Sequence, residues 1–421
     1  MIKILSGASQ IITVDTFGTN VKRGNELNEI DVLLSHSLVI ENDIIKDLIP
    51  NSSVKNYYAD EIIDIKDKVI LPGLIECHTH TAFAGSRACE FRDKLKGVGY
   101  EEIADSGGGI NRTVNAVRNS SAADLVKIII PRIDYFISQG ITTLEIKSGY
   151  GLDFENEIKL LKVINYLHEK YPIDIIPTFL GAHTYPPEYK SSHNNYLNIL
   201  TKELLPYISG KNSSNSPVRL AEFCDAFCER TAFSAEEVQF VFSKAKELGM
   251  ALRLHTDQFN NIGGIDLALK FNAVSVDHLE VIKEDDIVKL GASDTVCVLL
   301  PGVSFFLNHY YAPARKLIDN NAIVALSTDY NPGSSNISNL NLIMSFAALK
   351  MGMTIEETIS AVTINAAKAL KVNSKCGSIE IGKKADISIF NTDDYSDIVY
   401  NVGKNLNYMT IKNGEVIYIS D

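Results

Sequence analysis

Two histidines one residue apart close a short apolar run, Leu71-Pro72-Gly73-Leu74-Ile75-Glu76-Cys77-His78-Thr79-His80. On a strand, side chains at i and i+2 leave the same face, so this spacing aims His78 and His80 together. Two imidazoles side by side make half of a metal shell, because the neutral ring suits zinc or iron. Nine histidines in 421 residues also fall two apart by chance, so the pair needs support from elsewhere. That support comes from three later apolar runs, which end in His255, His278 and Asp329. Singly, His255 could be a core histidine bonded to backbone, and Asp329 a helix N-cap. Five such residues at equivalent ends point instead to a shared site. Three imidazoles and a carboxylate, with room for water, have the composition of a catalytic metal site that lowers the pKa of water.

The elements that must position these residues alternate in type. Strand-like runs stand at 74–80, 142–147, 174–179, 220–225, 251–255, 273–277, 295–300 and 322–328. Amphipathic helical segments intervene, among them 155–169, 235–248 and 262–270. Eight alternations of strand and helix are the pattern of an α/β chain folded as a (β/α)8 TIM barrel, in which chemistry gathers where the strands end. A doubly wound open sheet is the competing fold. Its usual G-x-G-x-x-G signature is missing, and Gly107-Gly108-Gly109 stands in a long loop rather than at that position. Both ends of the chain read differently. Short β-type runs fall at 11–14, 37–40 and 61–65, and again at 377–382, 385–390 and 409–418, the last a hairpin turning at Asn413-Gly414. Two β-rich ends around a different middle imply one small β-sandwich assembled from both termini. The expected division is 1–70, 71–372 and 373–421, with 212–217 a polar loop rather than a linker.

Forty basic against fifty-two acidic residues give a net charge of −12, which argues against general attraction to nucleic acid or an anionic membrane. No run approaches the length of a membrane span, and the N-terminus lacks a signal peptide's apolar core. The six cysteines are scattered. Cys224 and Cys228 are the closest pair, and without a second pair they read as buried free thiols. A cytoplasmic, reduced protein is the expectation.

The stretch from Pro72 to His80 resembles the first metal motif of the amidohydrolase superfamily. Asn365-Ala366-Ala367-Lys368-Ala369-Leu370, followed by Gly377-Ser378-Ile379-Glu380-Ile381-Gly382-Lys383-Lys384-Ala385-Asp386, resembles its C-terminal signature. Several loop stretches resemble more narrowly the branch that serves histidine degradation. They are Phe83-Ala84-Gly85-Ser86-Arg87 with Glu90-Phe91, Gly107-Gly108-Gly109-Ile110 with Thr113-Val114, and Glu145 through Leu152. Phe179-Leu180-Gly181-Ala182-His183 and Ser327 through Ser334 join them. The resemblance implies a barrel with a terminal β-sandwich and one zinc or ferric ion per subunit, held by His78, His80, His255 and Asp329. It implies a small-molecule substrate, 4-imidazolone-5-propanoate, opened by water to N-formimidoyl-L-glutamate, and a homodimer. The substrate contacts it implies are Arg87, Tyr150, His183, Gln258, Asn331, Gly333 and Ser334.

The chemistry of these residues can be weighed separately. Arg87 offers a planar fork suited to an anionic propanoate, and Tyr150, between glycines, could hold the same carboxylate. Without the motif, Arg87 would read as a surface salt bridge and Tyr150 as a packing aromatic. His183, just past the third strand, could donate to the ring carbonyl as charge develops. Asn331, Gly333 and Ser334 follow Asp329 on a turn and can supply amide and hydroxyl contacts. The expected mechanism has metal-bound hydroxide attacking the ring carbonyl, with Asp329 passing the proton to the leaving nitrogen. His278 is the alternative base, its ring oriented by Glu280 or Asp277. Gln258 stands where related deaminases carry a glutamate; an amide cannot take up a proton, which counts against deamination. The resemblance implies that Lys147 stays uncarboxylated beside one metal. A structural ion pair with Glu145 is not expected there, and a place under the Tyr150 loop is. The alternatives are another amidohydrolase, acting on a cyclic amide or deaminating a heterocycle, and, more remotely, a non-catalytic scaffold. Metal removal separates the scaffold from the enzymes.

Overall fold

The computed structural model describes residues 1–97, 108–211 and 218–420; Gly107 and the polar loop at 212–217 lie outside them. Seven strands come first: β1 (Ile2–Ser6), β2 (Gln10–Ile12), β3 (Val32–Leu34), β4 (His36–Glu41), β5 (Ile44–Pro50), β6 (Glu61–Asp64) and β7 (Val69–Pro72). Eight parallel strands follow: β8 (Leu74–Glu76), β9 (Ile141–Lys147), β10 (Asp174–Ala182), β11 (Phe223–Cys228), β12 (Ala251–Thr256), β13 (Ser275–His278), β14 (Val296–Leu299) and β15 (Ile323–Leu326). They pair in sequence order, each joined to the next through a crossover that carries helix. Three strands close the chain: β16 (Ile387–Phe390), β17 (Asn407–Lys412) and β18 (Glu415–Ile419).

The eight-stranded sheet is the TIM barrel the alternation predicts. Its strands are buried on both faces, as parallel strands covered by helices must be. On β9 the period of two sends Leu144 and Ile146 to the apolar layer under the helices, and Glu145 and Lys147 to the opposite face. The helices start where the sequence says they should. Asp153 caps Phe154–Lys170 by accepting from Asn156 N, and Ser234 with Glu237 forms a capping box for Ala235–Glu247. No helix among the described residues is long and apolar enough to cross a membrane.

The termini build the sandwich. One sheet runs β5-β4-β1-β6; the other runs β18-β17-β16-β7-β2-β3 and so draws on both ends of the chain. Between them lies a separate apolar cluster that includes Leu5, Ile11, Leu38, Ile70, Ile387 and Ile411. Three expectations shift. The first barrel strand stops at Glu76, so His78 and His80 sit just beyond it, and the fourth runs three residues later than predicted. The stretch 377–382 is not a strand. Gly377 and Gly382 both take positive φ, and single hydrogen bonds from Ile379 N to Thr13 O and from Gly382 N to Ile45 O dock it instead.

β8 and β15 stand at the two ends of the barrel's hydrogen-bonded order, and contacts just past them join the circle. Asp329 N donates to His78 O (3.2 Å) and His80 N to Tyr330 O (3.0 Å). The buried Glu76 carboxyl takes the Ser327 hydroxyl and the Thr328 amide. The seam of the barrel is therefore made by the residues that carry the candidate chemistry.

Candidate metal and substrate site

His78, His80 and His255 form a buried histidine-rich group with metal-binding geometry, their nitrogens within 4.8 Å of one another. Asp329 joins it: its Oδ1 lies 3.3 Å from His78 Nε2 and 3.2 Å from His80 Nε2, and His255 Nε2 lies 3.4 Å from His80 Nε2. The tautomers follow from what stands behind the rings. His78 Nδ1 donates to Asp277 Oδ2 at 2.6 Å, and His255 Nδ1 to Asp225 Oδ1 at 3.0 Å. Each neutral ring then presents Nε2 as a lone pair. Neither His78 Nε2 nor Asp329 Oδ1, both buried, has a hydrogen-bond partner among the described residues. Unprotonated nitrogens facing a carboxylate oxygen are a donor set for a cation, and the residues fit one.

The charges agree. Burial alone would raise the Asp329 carboxyl; positive charge at the face lined by His78 and His80 is what holds it well below the usual carboxylate range, and with neutral rings a bound cation would supply that charge. Burial lowers His80 and takes His255 far below its ordinary value, which keeps both rings neutral. Asp329 (φ 49°) and His278 (φ 89°) occupy positive φ without being glycine, a strain that recurs where loops aim functional groups.

Deeper in the barrel lies a charged layer set by strand register. Asp225 on β11 pairs in register with Arg253 on β12, and His255 with Asp277 on β13. Arg253 Nη2 reaches Asp277 Oδ2 at 3.0 Å; Lys147 Nζ reaches Glu145 Oε1 at 2.7 Å and Asp225 Oδ2 at 3.1 Å. The Lys147–Glu145 ion pair overturns the sequence expectation. Asp225 supplies a second carboxylate, and Glu145 also accepts Thr79 N at 2.9 Å, so polar protein groups replace the missing water. Glu280, rather than Asp277, meets His278 Nδ1, at 3.3 Å. Burial would lower His278, but Glu280 outweighs it and raises the ring.

The residues expected to touch substrate fall into two groups. Tyr150 and His183 flank the histidines: the Tyr150 ring centre lies 5.9 Å from that of His80 and 5.4 Å from that of His183, which stacks on His80 at 5.1 Å. Arg87 reaches toward the loop after Asp329, so closely that a Cβ on Gly333 would lie 2.2 Å from its Nη1 and would push the guanidinium aside. Arg87 Nε donates to Glu90 (2.8 Å). Gln258 is buried just past β12. Asn331 is fully engaged within its own turn. Its oxygen accepts Gly333 N and Ser334 N, and its nitrogen donates to Asp329 O, Asp329 Oδ2 and Ser334 Oγ. It braces Asp329 where the sequence reading expected an amide free for substrate. His183 differs too. Nδ1 donates to Gly149 O at 2.9 Å, and burial takes the ring down to about 3, so the neutral ring has an acceptor at Nε2, not the expected donor.

Sequence reasoning missed Glu157. Buried at the start of the helix after β9, it accepts the amides of Gly149, Gly151 and Leu152 at 2.8–3.1 Å and so shapes the Tyr150 loop. Nothing local signals this, since a glutamate in a first helical turn is ordinary. Asp225 escaped notice as a ring-orienting partner, and Asp277 was weighed only for His278, because only the barrel's register brings them to His255 and His78.

With this geometry in hand, comparison adds ancestry. Residues 69–417 match the amidohydrolase family. An imidazolonepropionase of Clostridium tetani is 40% identical over 418 residues, covering 99% of this chain and 98% of its own. One from Thermoanaerobacter pseudethanolicus is 43% identical over 382 residues, covering 91% and 90%. Among solved structures, an adenosine deaminase from Xanthomonas campestris with bound zinc aligns at TM-score 0.71 and 16% identity, covering 99% of this chain and 93% of that one, a likeness of fold alone.

Proposed function

Because the chain belongs to the amidohydrolase family, and within it to the imidazolonepropionases, we propose a division of labour among its residues in hydrolysing 4-imidazolone-5-propanoate to N-formimidoyl-L-glutamate. Water adds across the ring amide, and the carbonyl carbon–nitrogen bond breaks. His78, His80 and His255 through Nε2, and Asp329 through a carboxylate oxygen, hold one zinc or iron ion. Such an ion supplies Lewis acidity, which lowers the pKa of water and polarises the ring carbonyl.

The chain's own residues do the rest. Asp329 takes the proton of the attacking water and returns it to the departing ring nitrogen. A second reading gives the base role to His278. It is favoured by the Glu280 contact, which leaves Nε2 of the neutral ring as a lone pair. His183 accepts the substrate's ring N–H at Nε2, since its other nitrogen is committed to Gly149. Arg87, its Nε anchored by Glu90, turns its remaining N–H groups to the propanoate, with the Tyr150 hydroxyl and Ser334 as further contacts. Gln258 orients and does not titrate.

The observation that carries the assignment is the 3.3 Å approach of two buried atoms, His78 Nε2 and Asp329 Oδ1, that have no hydrogen-bond partner among the described residues. The test is incubation of metal-loaded protein with imidazolonepropanoate, following loss of its ultraviolet band and appearance of formimidoylglutamate. Turnover that disappears with chelation is expected; a metal-loaded protein without turnover overturns the reading. Arg87→Ala is expected to keep its metal and lose about ten- to a hundred-fold in kcat/KM, the cost of roughly 1.5–3 kcal/mol for a hydrogen bond to a charged group. An unchanged KM in that variant would remove the carboxylate clamp. The same membership carries the expectations of a homodimer and a cytoplasmic location, which sedimentation of the purified chain and cell fractionation read.

A further inference from the structure

Below the four proposed ligands lies a second set of metal-capable groups. Asp225, His255 and Asp277 offer donor atoms within 4.8 Å of one another, all buried. Glu145 brings a third carboxylate to the same layer, and Lys147 Nζ stands between it and Asp225, at 2.7 and 3.1 Å. Asp277 Oδ1 is sealed from solvent and has no hydrogen-bond partner among the described residues, while the equally sealed Asp225 Oδ2 meets Lys147 Nζ. Three carboxylates here face two cations, Lys147 and Arg253, and neither side chain of the Lys147–Asp225 or Arg253–Asp277 pair is exposed.

We propose that Lys147 is a built-in second cation: its ammonium, between Asp225 and Glu145 and beside the Asp225–His255–Asp277 set, supplies the positive charge a second metal ion would bring, and so holds the centre to one ion. The inference rests on the single-metal reading above and adds what limits the count. An ammonium and a metal ion make the same demand on this layer, oxygen atoms converging on a compact positive charge. Arg253 cannot do this work, because its planar fork is directed at Asp277 from the adjoining strand position. Without Lys147, three buried carboxylates would have Arg253 alone, and such a cluster must recruit a cation or take up protons. The position adjoins His255, whose Nδ1 side faces Asp225 while Nε2 faces His80, so the two ions would share that residue's surroundings.

The test is metal counting on the whole chain with manganese(II) as the probe. Wild type, Lys147→Met and Lys147→Arg are stripped with chelator, dialysed against manganese(II), and assayed for bound ion per chain by atomic emission. The expected counts are one for wild type, two for Lys147→Met, and one for Lys147→Arg, which keeps the charge. Two ions held about 4 Å apart, as in two-metal sites, should also give a spin-coupled electron paramagnetic resonance signal that wild type lacks. A folded Lys147→Met that binds one ion overturns the proposal. If that variant does not accumulate folded, refolding decides: recovery only with manganese(II) supports the proposal, and no recovery with or without it overturns it. A wild-type count of one with an unchanged variant sinks this inference alone, whereas a wild-type count of zero sinks the single-metal reading as well.

Discussion

At the scale of single residues, the site depends as much on what stands behind the imidazoles as on the rings. Asp277 accepts a hydrogen bond from His78 Nδ1 and is held ionised: burial would raise it, but Arg253 outweighs burial and keeps it well below the carboxylate range. Asp277→Asn leaves a neutral amide that can present either its oxygen or its NH2 to the ring, so the tautomer is no longer enforced. Metal affinity is expected to fall about ten- to a hundred-fold, the usual cost of losing such a partner, and chelator competition against wild type measures it. An unchanged affinity would mean that His78 is oriented by its backbone alone. The proposed ligands were legible in the sequence as a group because they sit at strand ends, where a barrel collects its chemistry. Asp277 was not legible as a partner of His78, because the contact spans 199 residues and exists only once the strands are in register.

At the scale of elements, two glutamates fix pieces of backbone that the site needs. Glu157 gathers three amides of the loop that carries Tyr150, and Gly149, with φ 100°, brings the chain within reach. A glutamine there would offer one acceptor oxygen and turn an NH2 toward donors. Each amide left unsatisfied costs about 1–3 kcal/mol. Glu157→Gln is therefore expected to retain its metal while KM rises more than kcat falls, read by metal assay beside steady-state kinetics; loss of metal would give Glu157 a wider role. Glu76 closes the barrel seam, and burial pushes its carboxyl up to about 8 from an ordinary 4.5. A folded-state pKa above the unfolded value means that the folded protein holds the proton more tightly. This contribution to stability is complete below about 4.5 and is lost as pH rises through about 8, at a slope of at most about 1.4 kcal/mol per pH unit. Glu76→Gln, neutral at every pH, should flatten the fall in melting temperature between pH 5 and 8 by about the amount that slope contributes. Parallel wild-type and variant curves would show that Glu76 is ionised throughout. Neither role was legible from the sequence, since Glu76 reads as the polar end of an apolar run and Glu157 as a helix-start acid. The hairpin at Asn413-Gly414 was legible because its turn chemistry is local, while 377–382 was misread because alternation alone does not reveal that both bounding glycines take positive φ.

At the scale of the molecule, the fold and the site complete each other. The proposed ligands come from beyond β8 (His78, His80), from β12 (His255) and from beyond β15 (Asp329), so a single ion would tie together the two strands that end the barrel's hydrogen-bonded order. That seam otherwise relies on isolated bonds, such as Asp329 N to His78 O and His80 N to Tyr330 O, with Glu76 below them. The sandwich braces the opposite side of the same strand: β7 runs into β8 and pairs with β16, and Ser388 of β16 donates to Gly140 O ahead of β9. A ligand present at a hundred times its dissociation constant stabilises the folded state by about 2.7 kcal/mol, and here that gain should be concentrated at the seam. Removing the metal should therefore raise amide hydrogen exchange at 74–80 and 327–331 well before it does so in the helix Phe154–Lys170, which packs on β10 through an apolar face with no ligand in it. Exchange followed by mass spectrometry on metal-loaded and chelated protein reads this directly. A uniform rise along the chain would mean that the cation stabilises the barrel as a whole, and that the joint between its first and last strands holds without it.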